Sequence, residues 1–184
     1  DGTAVMEFGL IAPVFFLLLI GICDLAHTVY ARAVFAGAVE RAARDSSLET
    51  ADTSAADASI ENSIAPVIPG AEVSTQRRSY FDFTDIDRPE QFDDENGNNT
   101  CDNGEAYVDE NSNGSWDSDV GADGNGGSGD VVAYTATVTY QPLFKVPFMP
   151  SAWTTRTITA TAVKKNQPFG TQQRNNGTTA GTCT

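Results

Sequence analysis

The chain has one histidine, three cysteines and eleven basic residues against twenty-five acids in 184 residues, and each scarcity excludes something. No basic patch with interleaved aromatics is present to follow a phosphate backbone, so nucleic acid is not an expected partner. The one histidine, His27, lies in a run of helix formers and no nucleophile motif accompanies it, so the chain is not expected to be an enzyme. Without His or Cys clusters, zinc and copper are poor candidates as metals. What the chain has in quantity is acid, and it is local. Residues 85 to 130 hold fourteen of the twenty-five carboxylates and a single base, Arg88. The length favours one domain, large enough to bury a core after any membrane segment is subtracted.

The second conspicuous feature is an uncharged run of sixteen residues from Phe8 to Cys23, FGLIAPVFFLLLIGIC. About 20 apolar residues span a bilayer core of ~30 Å, and tilt or local thinning covers the small deficit. A secretory signal fits poorly, because no small-residue cleavage site follows and the pattern continues as LAHTVYARAVFAGAVERAAR to about Arg44. Alanine dominates that extension, Glu40 and Arg44 form a favourable i,i+4 pair, and Asp45-Ser46-Ser47 ends it. One helix of roughly forty residues, near 60 Å long, is predicted. Its first half is suited to lipid or other helices and its second half is amphipathic. Pro13 predicts a kink. Asp24, at the end of the run, reads either as an ordinary interfacial residue or as a functional acid.

The stretch GTAVMEFGLIAPVFFLLLIGICDLAHTVYARAVFAGAVERAAR resembles the N-terminal segment of TadE-like proteins, the minor pilins or pseudopilins of tight-adherence (Tad) pili. The shared features are a glycine followed five residues later by Glu-Phe (Gly2 to Phe8), a proline within the apolar run, a small-residue helix after it, and the closing Ala-Ala-Arg. The resemblance implies a structural pilus-assembly protein. It implies residence in the bacterial inner membrane with the globular part outside the cytoplasm, and later a place in a surface filament. Implied partners are other pilin subunits or copies of itself through the N-terminal helix, and a prepilin peptidase that cuts between Gly2 and Thr3. Glu7 then becomes the fifth residue of the mature chain. A carboxylate in a membrane helix is costly unless paired, and a neighbouring subunit's new amine is the available cation. The helix N-terminus also favours an anion there.

After residue 47 a short helix is expected from Ser54 to about Ala65, opened by the Ser54-x-x-Asp57 box and stopped by Pro66. Strands follow at 71–83, 130–140 and 154–165, rich in Val, Thr, Tyr and Ile. In the second of these, Val132, Tyr134, Ala136, Val138 and Tyr140 alternate with Thr135, Thr137 and Thr139, so one face is apolar. The expected fold class is α+β: a long N-terminal helix packed on a small antiparallel sheet, pilin-like, with an inserted acidic calcium-binding segment at 85–129. The organisation is a helical segment at 1–46, a globular domain at 47–168 and a flexible tail at 169–184. The proline-rich QPLFKVPFMPSAW, with Leu143, Phe144, Val146, Phe148 and Met149, is either a loop over the sheet edge or a contact surface.

The acidic insertion fits the twelve-position calcium loop, whose ligands fall at positions 1, 3, 5, 7, 9 and 12. From Asp94 these are Asp94, Asn96, Asn98, the carbonyl of Thr100, Asp102 and Glu105, with Asn99 where the loop prefers glycine. A second copy, fifteen residues on, has Asp109, Asn111, Asn113, Gly114 at the turn, the carbonyl of Ser115, and Asp117. Position twelve is then Val120, so this copy closes through Asp119 or Asp123 or binds more weakly. Only Ala106-Tyr107-Val108 separates the copies, too short for the flanking helices of an EF-hand. Oxygen-only donors favour Ca²⁺, two ions in all, in a structural role. A membrane-anchored extracellular module for calcium-dependent adhesion is the alternative to a filament subunit. Cys23 reads as a small apolar residue, whereas Cys101 and Cys183 lie outside the cytoplasm, where they either pair or stay free. Asn98-Asn99-Thr100 and Asn176-Gly177-Thr178 match glycosylation sequons, a pattern common by chance.

Overall fold

The computed structural model describes residues 2–48, 52–144, 154–167, 170–172 and 179–184. Two helices, α1 (Gly2–Ser46) and α2 (Thr53–Ile64), precede six strands: β1 (Glu72–Tyr80), β2 (Ala106–Asp109), β3 (Ala122–Asp123), β4 (Val131–Tyr140), β5 (Arg156–Lys165) and β6 (Thr179–Thr182). One sheet has the order β3-β1-β4-β5 and a second pairs β2 with β6. The class is therefore α+β, a long apolar helix with antiparallel sheet. The chain divides into two units, one of Asp1–Ala42, Ser54–Thr75 and Ala136–Thr161, the other of Ala43–Thr53, Gln76–Thr135 and Ala162–Thr184.

In the first unit α1 runs unbroken through Pro13, which removes one backbone donor without ending the helix. Up to Tyr30 its large apolar side chains, among them Val5, Phe8, Leu10 and Ile22, are exposed. From Ala31 onward Phe35, Ala38, Val39 and Ala42 are buried at helical spacing. Two halves of one helix thus meet different surroundings, as the change from bulky apolar to small residues predicts. The helix is long and apolar enough to cross a membrane. The rest of this unit's core comes from Ile60 and Ile64 of α2, Ile68, Ala136, Val138 and Tyr140 of β4, and Ile158 of β5. The period-two pattern of β4 is observed, its buried positions alternating with half-buried threonines. Thr137 meets Thr159 at 3.2 Å and Thr139 meets Thr157 at 3.5 Å, a cross-strand hydroxyl ladder between β4 and β5.

Asp24 is not merely interfacial. The residue is 4% exposed, and its carboxylate forms an ion pair with Arg156 of β5, which also donates to Thr28, one turn along α1. Sequence could not link residues 132 positions apart, since neither carries a local signal for the other. Removing the cation leaves a buried carboxylate whose Oδ1 already lacks a hydrogen-bond partner. Arg156→Met is therefore expected to cost on the order of 3 kcal/mol, the lower end for a broken buried pair, because the arginine is itself a quarter exposed. Denaturant titration of the purified chain checks this, and a loss under ~1 kcal/mol would contradict the pairing. His27 is also accounted for: Nε2 lies 3.0 Å from the Val67 carbonyl, and the ring packs edge-on to Phe144. Leu143 and Phe144 are exposed, while the proposed contact residues Val146, Phe148 and Met149 lie outside the described residues.

In the second unit Tyr80, Val131, Val132, Tyr134 and Ala162 are buried, and the Arg77 guanidinium lies 4.3 Å from the centre of the Tyr134 ring. β3 adds to β1 with Arg78 opposite Asp123 and Ser79 opposite Ala122. Among the described residues of 169–184, expected as a flexible tail, the last ones are paired. Thr179–Thr182 form β6, antiparallel to β2 with Ala106 opposite Thr182 and Asp109 opposite Thr179, and Cys183 is buried. The segment has no periodic pattern because its pairing depends on a partner strand and on one small residue. A Cβ on Gly181 would lie 2.3 Å from the Tyr107 ring, so only glycine admits that ring.

Candidate metal loops in the acidic insertion

The insertion between β1 and β4 contains two loops of the same construction. In the first, Asp94 turns its carboxylate back on its own chain. Oδ1 accepts from the backbone N–H of Gly97 at 2.7 Å and Asn98 at 3.1 Å, and Oδ2 from Asn99 at 2.8 Å. In the second, Asp109 Oδ1 accepts from Asn113 at 3.0 Å and Oδ2 from Gly114 at 2.9 Å. Asn96 and Asn98 accept from the N–H two residues on, as do Asn111 and Asn113. Left-handed backbone recurs in register: Gly97 and Ser112 at position four, Asn99 and Gly114 at position six. Asn99 at φ 60° thus takes the conformation for which asparagine is the best substitute for glycine. Donation from these N–H groups, that of Asn99 foremost, holds the Asp94 carboxyl below the ordinary range.

Position nine is the centre of each loop. Asp102 Oδ2 accepts from the amides of Asn96 at 2.6 Å and Asn98 at 2.7 Å, and Asp117 Oδ2 from those of Asn111 at 2.9 Å and Asn113. So the structure brings together Asp94, Asn96, Asn98 and Asp102 in one loop and Asp109, Asn111, Asn113 and Asp117 in the other. Thr100 and Ser115 enter these loops through their backbone. Among the described residues, no three acidic, histidine or cysteine side chains gather into a metal cluster. The side chains in each loop are mixed, two aspartates and two asparagines.

The acids expected to close the two loops are held in different ways. Glu105 accepts from the N–H of Glu95 at 3.1 Å and of Asp102 at 2.7 Å, so it reaches from position twelve to both sides of its loop. Asp119 faces β1 instead. Its Oδ2 accepts from Arg78 Nη1 at 2.6 Å and the Tyr80 hydroxyl at 3.0 Å, which ties the segment to β1. Asp123 is exposed and 4.0 Å from Arg78. The position equivalent to Glu105 is taken instead by Glu90, which accepts from Glu110 at 2.7 Å, Asn111 at 3.2 Å and Asp117 at 3.1 Å. Even the backbone repeats: Glu105 N–H donates to the Asp102 carbonyl and Glu90 N–H to the Asp117 carbonyl, each at 3.0 Å. A sequence signal for Glu90 existed in the fifteen-residue offset, because Glu105 minus one repeat is Glu90.

The two copies are held together by backbone pairing. Phe92 bridges Tyr107 antiparallel, Asp93 N–H donates to the Ala106 carbonyl, and Val108 N–H to that of Gln91, both at 2.8 Å. The three-residue spacer is thus a strand with a neighbour on each side, residues 91–93 on one and β6 on the other. Position eight of each loop anchors it. Cys101 forms a disulfide with Cys183, Cα to Cα 5.9 Å, and Trp116 packs edge-on to Phe92 at 5.3 Å with its indole N–H on the Glu90 carbonyl. Arg88, the one base of the insertion, grips both oxygens of Glu110 at 2.9 and 2.8 Å and reaches Asp85 at 3.1 Å.

The residues expected from the sequence to serve processing and assembly lie at the other end of the chain. Gly2 begins α1, and Thr3 and Glu7 sit on its exposed first turns. The apolar helix follows, its large side chains exposed up to Tyr30 and one of its faces buried beyond it. Residues 2–44 match the model of the TadE-like protein family. The match covers the long N-terminal helix, which is long and apolar enough to cross a membrane, and it suggests an association with Tad pili. No curated protein and no solved structure matches the chain.

Proposed function

We propose that the chain is a minor pilin or pseudopilin of a Tad-type surface filament, held in the inner membrane by the TadE-like helix before assembly and stabilised outside the cytoplasm by two calcium ions. The observation that carries the filament reading is the division of α1 into an exposed apolar half and a buried small-residue half, within a segment that matches a pilus-associated family. An apolar helix exposed over seven turns needs lipid or other helices around it, and a filament core of like helices supplies the second. The processing peptidase acts between Gly2 and Thr3, leaving Glu7 to meet the amine of a neighbouring subunit. Intact-mass measurement of the protein purified from membranes is expected to show Thr3 as the first residue. An N-terminus elsewhere would favour the membrane-anchored adhesion module.

Calcium is supported by the chemistry of the donors. Asp94, Asn96, Asn98, the Thr100 carbonyl, Asp102 and Glu105 form the first set, and Asp109, Asn111, Asn113, the Ser115 carbonyl and Asp117 the second. Hard oxygen ligands of this number suit Ca²⁺ rather than softer metals. Rotation of an asparagine amide exchanges its N–H for its oxygen, so the four amides now facing Asp102 and Asp117 can present oxygen to a cation. The ion would neutralise acids that otherwise repel one another and would order an insertion that has little apolar core.

A further inference from the structure

Three carboxylates in the insertion are buried without an ion-pair partner among the described residues: Glu90 at 1% exposure, Glu105 at 5% and Asp109 at 5%. Glu90 is the most enclosed. It lies before the first loop yet aims at the second, and every hydrogen bond it accepts there comes from backbone N–H. Enclosing a carboxylate without a cation is costly; three backbone N–H groups offset part of that cost here, and coordination to a metal is a further way to offset it.

The antiparallel pairing of residues 90–94 with 105–109 explains the placement. Each segment begins with glutamate and ends with aspartate, so pairing sets Glu90 beside Asp109 and Glu105 beside Asp94. We infer that Glu90 is the closing ligand of the second calcium loop, and that the loops fill cooperatively because each is closed by the glutamate opening the strand opposite its own. This rests on the calcium reading proposed above and deepens it. A cation in the first loop draws in Glu105 and with it β2, whose other end is Asp109. That same strand holds residues 91–93 and so fixes Glu90 before the second ion arrives. The ordering cost is met once and serves two sites.

The test uses the full chain in detergent, titrated with CaCl₂ by calorimetry and with TbCl₃ by luminescence excited through tryptophan. Trp116 is the eighth residue of the second loop, and Trp116→Phe identifies that loop's share of the signal. Wild type is expected to take two calcium ions with a Hill coefficient above one. Glu90→Gln is expected to lose the Trp116-sensitised site at least tenfold in affinity and to abolish cooperativity, while Asp119→Asn leaves both sites intact. Glu90→Asp keeps the charge and shortens the reach, and gives the same loss if the glutamate is a ligand. Two ions bound by Glu90→Gln and Glu90→Asp as tightly as by wild type, or a second site lost in Asp119→Asn, overturns the inference alone. A wild-type chain that binds no calcium overturns the calcium reading with it.

Discussion

Chelating calcium is expected to lower the melting temperature of the full chain by at least roughly 5 °C, and to open residues 90–125 to protease. The size follows from mass action. A site filled at about a hundred times its dissociation constant stabilises by ~2.7 kcal/mol, and 1 kcal/mol is worth roughly 2–4 °C in a chain of this length. The location follows from charge. Fourteen acids and one base occupy residues 85 to 130, and that base is already committed to Glu110 and Asp85. Without a cation the loops keep their backbone-to-carboxylate bonds but lose any offset to the repulsion among Asp94, Asp102, Glu105, Asp109 and Asp117. Magnesium should not substitute, since its stricter octahedron suits a twelve-position loop poorly. An unchanged melting curve and cleavage pattern with and without chelator would sink the calcium reading, while leaving the pilus reading in place.

Breaking the disulfide is expected to destabilise the second unit by several kcal/mol. Cys101 and Cys183 are separated by 82 residues, and a closed loop of that length restricts the unfolded chain by about 4–5 kcal/mol in the chain-entropy account. The bond also acts locally. Cys183 N–H donates to the Glu105 carbonyl at 2.9 Å and its carbonyl accepts from Gly104 at 3.0 Å, so β6 is held at the residue that closes the first loop. The double variant Cys101→Ser with Cys183→Ser is expected to melt roughly 10 °C lower than wild type and to release the C-terminal strand to carboxypeptidase. A melting point within ~2 °C of wild type would show that β2 and β6 hold without the bond.

Much of the architecture is legible in local pattern. α1 follows from an uncharged run continued by alanine-rich sequence, α2 from its box and Pro66, β1 from strand-forming residue types, and β4 and β5 from β-branched residues that alternate. Those signals are legible because helix and strand periodicity depend on neighbours a few residues away. Asp24 shows the limit. Its identity suggested the edge of a membrane, whereas its partner is Arg156 on β5, and no rule of spacing joins them. Asp119 shows it too, since proximity in sequence makes it the nearest acid to position twelve while its carboxylate is held by Arg78 and Tyr80 of β1.

By itself, then, the sequence determined a TadE-like apolar helix, an antiparallel sheet with one apolar face, and two twelve-position acidic loops fifteen residues apart. Tertiary structure alone decided what holds Glu90 and Asp119, where Thr179–Thr182 pair, and what Asp24 pairs with. The physical reason is common to all three. A loop's ligand spacing is a property of one short segment, but closing an acid into place requires another segment to bring it there. For Glu90 that is the antiparallel register of 90–94 on 105–109, and for the C-terminus it is β2 with Gly181 under the Tyr107 ring.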